Sequence, residues 1–144
     1  MKIIYNHFFP LGGFKCMGVG PFIVARYGAD INERDVRHES IHWAQQKELM
    51  PFAVALAAGL AFVIKWWALL ALPLFYWLYC LLFAVEFVWC LFDKSRGTRA
   101  DGKHRKLWRR AYYSMALERE AYAHHNDATY LSKRKWFAWI RKEK

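Results

Sequence analysis

The sequence predicts a mainly α-helical membrane protein. A two-helix transmembrane hairpin separates a helix carrying His-Glu-x-x-His from a later helix bearing glutamate, and a small β element stands at the N-terminus. Three observations predict this. From Leu49 to Phe92 there are 44 residues with only two charges, Lys65 and Glu86. The His-Glu-x-x-His pattern lies just before that run, in a polar stretch with helix-start signals. The first 29 residues are short β-prone runs punctuated by glycine.

The elements follow in chain order as three stretches of one unit, 1–48, 49–92 and 93–144. Phe14 to Val19 and Phe22 to Tyr27 are the β-prone runs, set off by Gly12-Gly13, Gly20-Pro21 and Gly28, and they predict a two-stranded element. A helix begins between Asp30 and Asn32, where Asp30 with Glu33 has capping-box spacing and Asn32 can also cap. It is expected to end near Leu49, with Pro51 close to its end. The apolar run is about twice the roughly 20 residues that cross a bilayer as a helix. It therefore reads as two antiparallel helices, with a turn between Lys65-Trp66-Trp67 and Pro73. A soluble core is the other reading of such a run, but the remaining polar segments are small for covering 44 apolar residues. A basic loop through Lys106 follows, then a helix from Leu107 to about His125 that stops at Asn126-Asp127. The tail from Tyr130 to Lys144 mixes basic residues with Leu131, Trp136, Phe137, Trp139 and Ile140, as an interfacial amphipathic segment does.

Charge adds an orientation. The chain carries a net +10, with six Lys/Arg and five Asp/Glu before the apolar run and fifteen and six after it. The positive-inside rule then places the C-terminal side in the cytoplasm, and two crossings return the N-terminal segment to that side. Basic residues that flank apolar helices and alternate with Trp and Phe favour anionic lipid over a nucleic-acid partner. The mixed, polar first 48 residues do not read as a signal peptide. Cys16, Cys80 and Cys90 have neither metal-like nor disulfide-framework spacing.

The chemistry centres on His38-Glu39-Ser40-Ile41-His42. Two imidazoles four residues apart project from one helix face and can share a tetrahedral Zn²⁺, and a glutamate beside the first can take a proton from water. A third protein ligand is required. Glu118 and Glu120 are the candidates after the hairpin, and residues two apart on a helix face nearly opposite ways. Glu118 shares a stripe with Ala111, Ser114, Ala121 and Tyr122, whose mostly small side chains permit close packing, so Glu118 is preferred and Glu120 is the alternative. Glu86, a carboxylate in an apolar span about 9 Å of helix rise from Phe92, is a further alternative ligand, a proton carrier or a partner for a nearby Lys or Arg. His124-His125 reads as a solvated helix-end pair.

The His-Glu-x-x-His motif, followed by apolar helices and then Ser-x-x-Leu-Glu-x-x-Ala at Ser114 to Ala121, resembles the gluzincin metallopeptidases. The likeness is to their integral-membrane branch of HtpX-type and CAAX prenyl proteases, in a minimal form. It covers two short motifs, about a fifth of the chain. Arg37 to Gln46, with Glu118 to Tyr122, also resembles a group of small bacterial membrane proteins, which implies a bacterial inner membrane; the charge balance then faces the site to the cytoplasm. The protease resemblance implies a zinc-dependent endopeptidase that cleaves membrane-near or membrane-embedded polypeptides. Glu118 would be a ligand and Glu39 the base. Those proteases commonly carry Asp directly after the alanine; Tyr122 stands here, and a role at the oxyanion is the expectation for it. The resemblance also implies an edge strand that pairs with extended substrate, for which Phe22, Ile23, Val24, Ala25 and Arg26 are in the right order.

Two other functions compete. A di-iron hydroxylase needs about eight histidines over apolar hairpins, and the chain has six. A non-catalytic membrane metal-binding or interaction protein would keep a degenerate site, but binding alone does not require Glu39 beside both histidines.

Overall fold

The computed structural model describes residues 1–10, 13–96 and 106–141. It is mainly helical with one three-stranded sheet: β1 (Lys2–Asn6), β2 (Cys16–Val19), β3 (Phe22–Arg26), α1 (Glu33–Ile64), α2 (Leu74–Phe92), α3 (Leu107–Ser114), α4 (Ala116–His124) and α5 (Tyr130–Lys133). Most of the expected basic loop, residues 97–105, and the end of the tail, residues 142–144, lie outside the described residues. The chain forms two compact units, Met1–Glu48 with Glu120–Ala138, and Leu49–Arg119 with Trp139–Lys144. The division between them falls after Glu48 within α1 and after Arg119 within α4.

In the first unit the sheet order is β1-β3-β2, with β1 parallel and β2 antiparallel to β3. The expected two-stranded element is therefore three-stranded, because Lys2–Asn6 adds along β3 in register Lys2↔Phe22 to Asn6↔Arg26. Gly20 turns the β2–β3 hairpin at φ +57, a left-handed conformation that glycine adopts without a Cβ penalty. Ile23 and Ala25, two apart on β3 and so on one face, are fully buried. Asn32 caps α1: its Oδ1 accepts from the Asp35 amide at 3.0 Å, and Asp35 Oδ2 accepts from the Asn32 amide at 3.3 Å. This is a reciprocal capping box two residues on from the Asp30–Glu33 alternative. Arg37 Nε donates to the His125 carbonyl at 2.8 Å, joining α1 to the end of α4.

The second unit begins within α1, which does not stop near Leu49 but continues through Pro51 to Ile64, 32 residues in all. A proline inside a helix removes one donor and costs about 3 kcal/mol. The flanking apolar turns continue past it, so the helix is not ended there. It ends where Lys65 takes φ +52, and a 3-10 helix (Lys65–Ala71) leads to α2. The turn thus lies within the interval expected from the aromatic and proline signals. Both apolar helices are long and apolar enough to cross a membrane, with only 17% and 11% of their apolar windows buried. Arg110, itself buried, closes the C-terminus of α2, its Nη2 donating to the carbonyls of Cys90 at 3.1 Å and Asp93 at 2.5 Å. Those carbonyls have no partner within the helix, which explains an arginine buried there.

One further expectation is corrected. The helix expected over Leu107 to His125 is broken at Met115, whose ψ of 138° is extended while its side chain is fully buried, so α3 and α4 are separate helices. The tail, expected as an amphipathic segment, has one turn, α5, and a 3-10 turn at Ala138–Ile140, separated by Phe137 at φ +54.

Candidate metal centre

The first unit brings the motif residues inside. His38, Glu39 and His42 are each 7% exposed, on the second and third turns of α1. Their spacing does what an α-helix requires of residues four apart: the rings sit on one face, edge to face, with centroids 4.8 Å apart. The two Nε2 atoms are 3.2 Å from each other. Two nitrogens bound to one tetrahedral zinc stand about 3.3 Å apart, given metal–nitrogen bonds near 2.0–2.1 Å. The pair is therefore at the separation a shared ion needs.

Helix α4 carries Glu118 on its first turn, 1% exposed, in the sequence Glu118-Arg119-Glu120-Ala121-Tyr122. The ligating atoms of His38, His42 and Glu118 all lie within 4.8 Å of one another, and all three residues are buried. Two imidazoles and one carboxylate are donors that first-row transition metals accept, and three protein ligands leave a coordination position open. The group can hold a metal ion. The stripe that favoured Glu118 is buried as well, at Ala111, Ser114 and Ala121. Tyr79, on α2, donates its hydroxyl to Glu118 Oε1 at 2.7 Å and so orients the carboxylate. No sequence pattern marked that tyrosine.

Glu39 lies under β2. Its Oε1 accepts from the Cys16 thiol at 3.8 Å, and its Oε2 is 2.9 Å from where a Cβ on Gly18 would stand. Cys16 and Gly18 are two apart on a strand and share the face that covers Glu39. Burial first, and then the negative charge of Glu39, push the Cys16 thiol up to about 12.

The other candidates fall elsewhere. Glu120 is 5% exposed, but its carboxylate accepts from Gln45 Nε2 at 3.0 Å, from the Tyr130 hydroxyl at 3.0 Å and from Arg134, and it does not join the histidines. Glu86 pairs with Arg96 at 2.9 Å, which matches the partner role considered for it. The ring of Tyr122 packs edge-on against His38, centroids 4.6 Å apart. His125 is buried rather than a solvated end, 5.9 Å ring to ring from His38. Its pKa is lowered, by burial and then by Arg34. The strand Phe22 to Arg26 is corrected in its role: β3 is the centre of the sheet, its ladder hydrogen bonds taken by β1 and β2, so it has no edge to offer an extended substrate.

Comparison with known proteins returns no match to a family model, a curated protein or a solved structure.

Proposed function

We propose that the chain is a membrane-embedded, zinc-dependent metalloendopeptidase that hydrolyses peptide bonds of membrane-near polypeptides. The observation that carries the reading is the buried His38, His42 and Glu118 group with Glu39 one residue from the first histidine. A bound zinc ion would supply Lewis acidity, polarising a scissile carbonyl and lowering the pKa of water. Glu39 would take the proton from water and pass it to the leaving amine. The face of β2 with Cys16 and Gly18 closes over Glu39 and limits water there. Because β3 is paired on both sides, an extended substrate would add to an edge strand, and β2 is the edge strand in contact with Glu39.

The membrane part of the proposal rests on the outward-facing apolar side chains of α1 and α2. In a soluble protein such helices would bury them. Two crossings would return both halves of the ligand set to one compartment, and the excess of Lys and Arg after α2 would make it the cytoplasm, in a bacterium the inside of the inner membrane.

Elemental analysis of the purified protein tests the site. One zinc per wild-type chain is expected, lost in His38→Ala and reduced in Glu118→Gln. Hydrolysis of an unstructured polypeptide should fall by about 10² to 10⁴ in Glu39→Gln with zinc retained. Absence of bound zinc after reconstitution would overturn the proposal. Zinc without turnover would leave a non-catalytic metal-binding membrane protein.

A further inference from the structure

Within the first unit a chain of buried hydrogen bonds leads away from His42. His42 Nδ1 is 2.7 Å from Gln45 Oε1, and Gln45 Nε2 donates to Glu120 Oε2 at 3.0 Å. Glu120 is gripped in turn by Arg134, which also holds Glu48. Arg134, Glu48 and Glu120 have side chains 6%, 3% and 3% exposed, and Gln45 is fully buried. The segment that supplies Arg134 is fastened at two more points: the Tyr130 hydroxyl donates to Glu120 Oε1 at 3.0 Å, and the Phe137 amide donates to Glu48 Oε1 at 2.7 Å. Phe137 sits at φ +54, a conformation a bulky residue holds only when its surroundings impose it.

The donor and acceptor roles along this chain are not interchangeable. Both Glu120 oxygens accept, Oε1 from Arg134 Nε and the Tyr130 hydroxyl and Oε2 from Arg134 Nη2 and Gln45 Nε2. The NH₂ end of Gln45 is thus spent on Glu120, which turns the amide oxygen towards His42. That oxygen has no proton, so His42 Nδ1 must carry one. In a neutral ring that proton leaves the lone pair at Nε2, the atom that faces His38 Nε2 at 3.2 Å.

We infer that Gln45 is a positioning residue which, held by Glu120 and the Arg134 strap of residues 130–137, locks His42 in the Nδ1–H tautomer and commits its Nε2 to the metal. The consequence for zinc rests on the metallopeptidase reading, whereas the tautomer does not. In the resembling proteases an Asp after the alanine is the expected support for a histidine ligand. Here that position is Tyr122, and the support comes from an amide on the ligand's own helix.

NMR of the metal-free protein, labelled with ¹⁵N at histidine, reads the tautomer directly. Wild-type His42 is expected as Nδ1–H, and Gln45→Leu should lose that preference. Gln46→Leu is the control: it removes a neighbouring buried amide, whose Oε1 accepts from the Gly20 amide at 3.1 Å while Gln45 is the residue bonded to His42 Nδ1. It should leave the tautomer in place. The reciprocal exchange Gln45→Glu with Glu120→Gln keeps one acceptor facing His42 and one donor behind it, and should restore the tautomer. Zinc affinity, measured by chelator competition, should fall about 10- to 100-fold in Gln45→Leu and recover in the exchange. An Nε2–H tautomer in the wild type, an unchanged one in Gln45→Leu, or no recovery in the exchange would overturn the inference. A wild type that shows the tautomer but binds no zinc would sink the metallopeptidase reading alone.

Discussion

The two halves of α1 obey opposite rules. From Glu33 to Glu48 the helix buries polar side chains, His38, Glu39, His42, Gln45, Gln46 and Glu48, all at 7% exposure or less. From Leu49 to Ile64 it buries only Ala53 and Ala57 and turns Phe52, Val54, Leu56, Phe62 and Val63 outward. One continuous helix is thus polar inside at one end and apolar outside at the other. The first half can bury polar groups because each finds a partner or a place in a ligand set, the condition under which burial is tolerable. The second half exposes apolar groups, which suits the membrane setting proposed for it. The lesson is that burial and exposure along one helix follow different demands at its two ends.

The largest break in that comparison is to strand a buried charge in the polar half. Arg134→Met would leave Glu48 and Glu120 buried without their shared cation, and removing one partner from a buried ion pair costs about 3–5 kcal/mol. Denaturant unfolding in detergent should show a loss of that size, whereas Lys133→Met, whose pair with Asp127 is exposed, should cost under about 1 kcal/mol. Equal effects would mean that the polar half is not a buried network.

Next in size is a charge placed in the apolar half. Leu56, 46% exposed, would lie on a soluble protein's surface, where Leu56→Arg is neutral or improves solubility. In a bilayer the same change costs about 2.5–3.5 kcal/mol at mid-span. Carbonate extraction of membranes should show less integrated protein for Leu56→Arg and no change for Lys47→Arg. Full integration of Leu56→Arg would show that this position does not meet lipid, and release of the wild type by carbonate would remove the membrane reading.

The parts of this architecture legible in the chain were those with a local period. The four-residue spacing of His38 and His42, the 44 apolar residues and the cap at Asn32 each leave a pattern within one or two turns. Proline at position 51 was misleading, since its local cost of one donor does not outweigh the apolar turns on both sides. β1 is five residues with no turn chemistry leading into it, and its partner β3 lies twenty positions on. The break at Met115 has no glycine or proline to announce it. Gln45 with Glu120, Tyr79 with Glu118 and Arg134 with Glu48 are pairs distant in sequence, and a periodicity argument cannot find such pairs. The candidate metal-holding group was thus readable, while the residues packed against it were not.

A smaller effect sharpens the polar half. Gly18→Ala would set a Cβ 2.9 Å from Glu39 Oε2 and 3.4 Å from the Glu39 carbonyl oxygen. Overpacking of this kind costs about 1–3 kcal/mol, so a lowered Tm is expected, together with turnover reduced more than zinc content. Gly59→Ala, where a Cβ meets nothing within 4 Å, should be neutral or slightly stabilising. A Gly18→Ala protein with wild-type Tm would show that β2 does not press on Glu39.

The smallest effect is a rate that should stay low. Cys16 is pushed up to about 12 from its ordinary 9.0, by burial and then by the charge of Glu39. The thiolate is the reactive form, so alkylation should be slow at neutral pH and should keep rising through pH 10 without a plateau. With Cys80→Ser and Cys90→Ser as background, iodoacetamide kinetics would follow Cys16 alone. Glu39→Gln removes the nearest negative charge, so the rate at any given pH should increase. A plateau near the ordinary thiol value, unmoved by Glu39→Gln, would place Cys16 away from Glu39. The proposed base would then lose the cover of β2, and with it the polar half's distinction as a site closed from water.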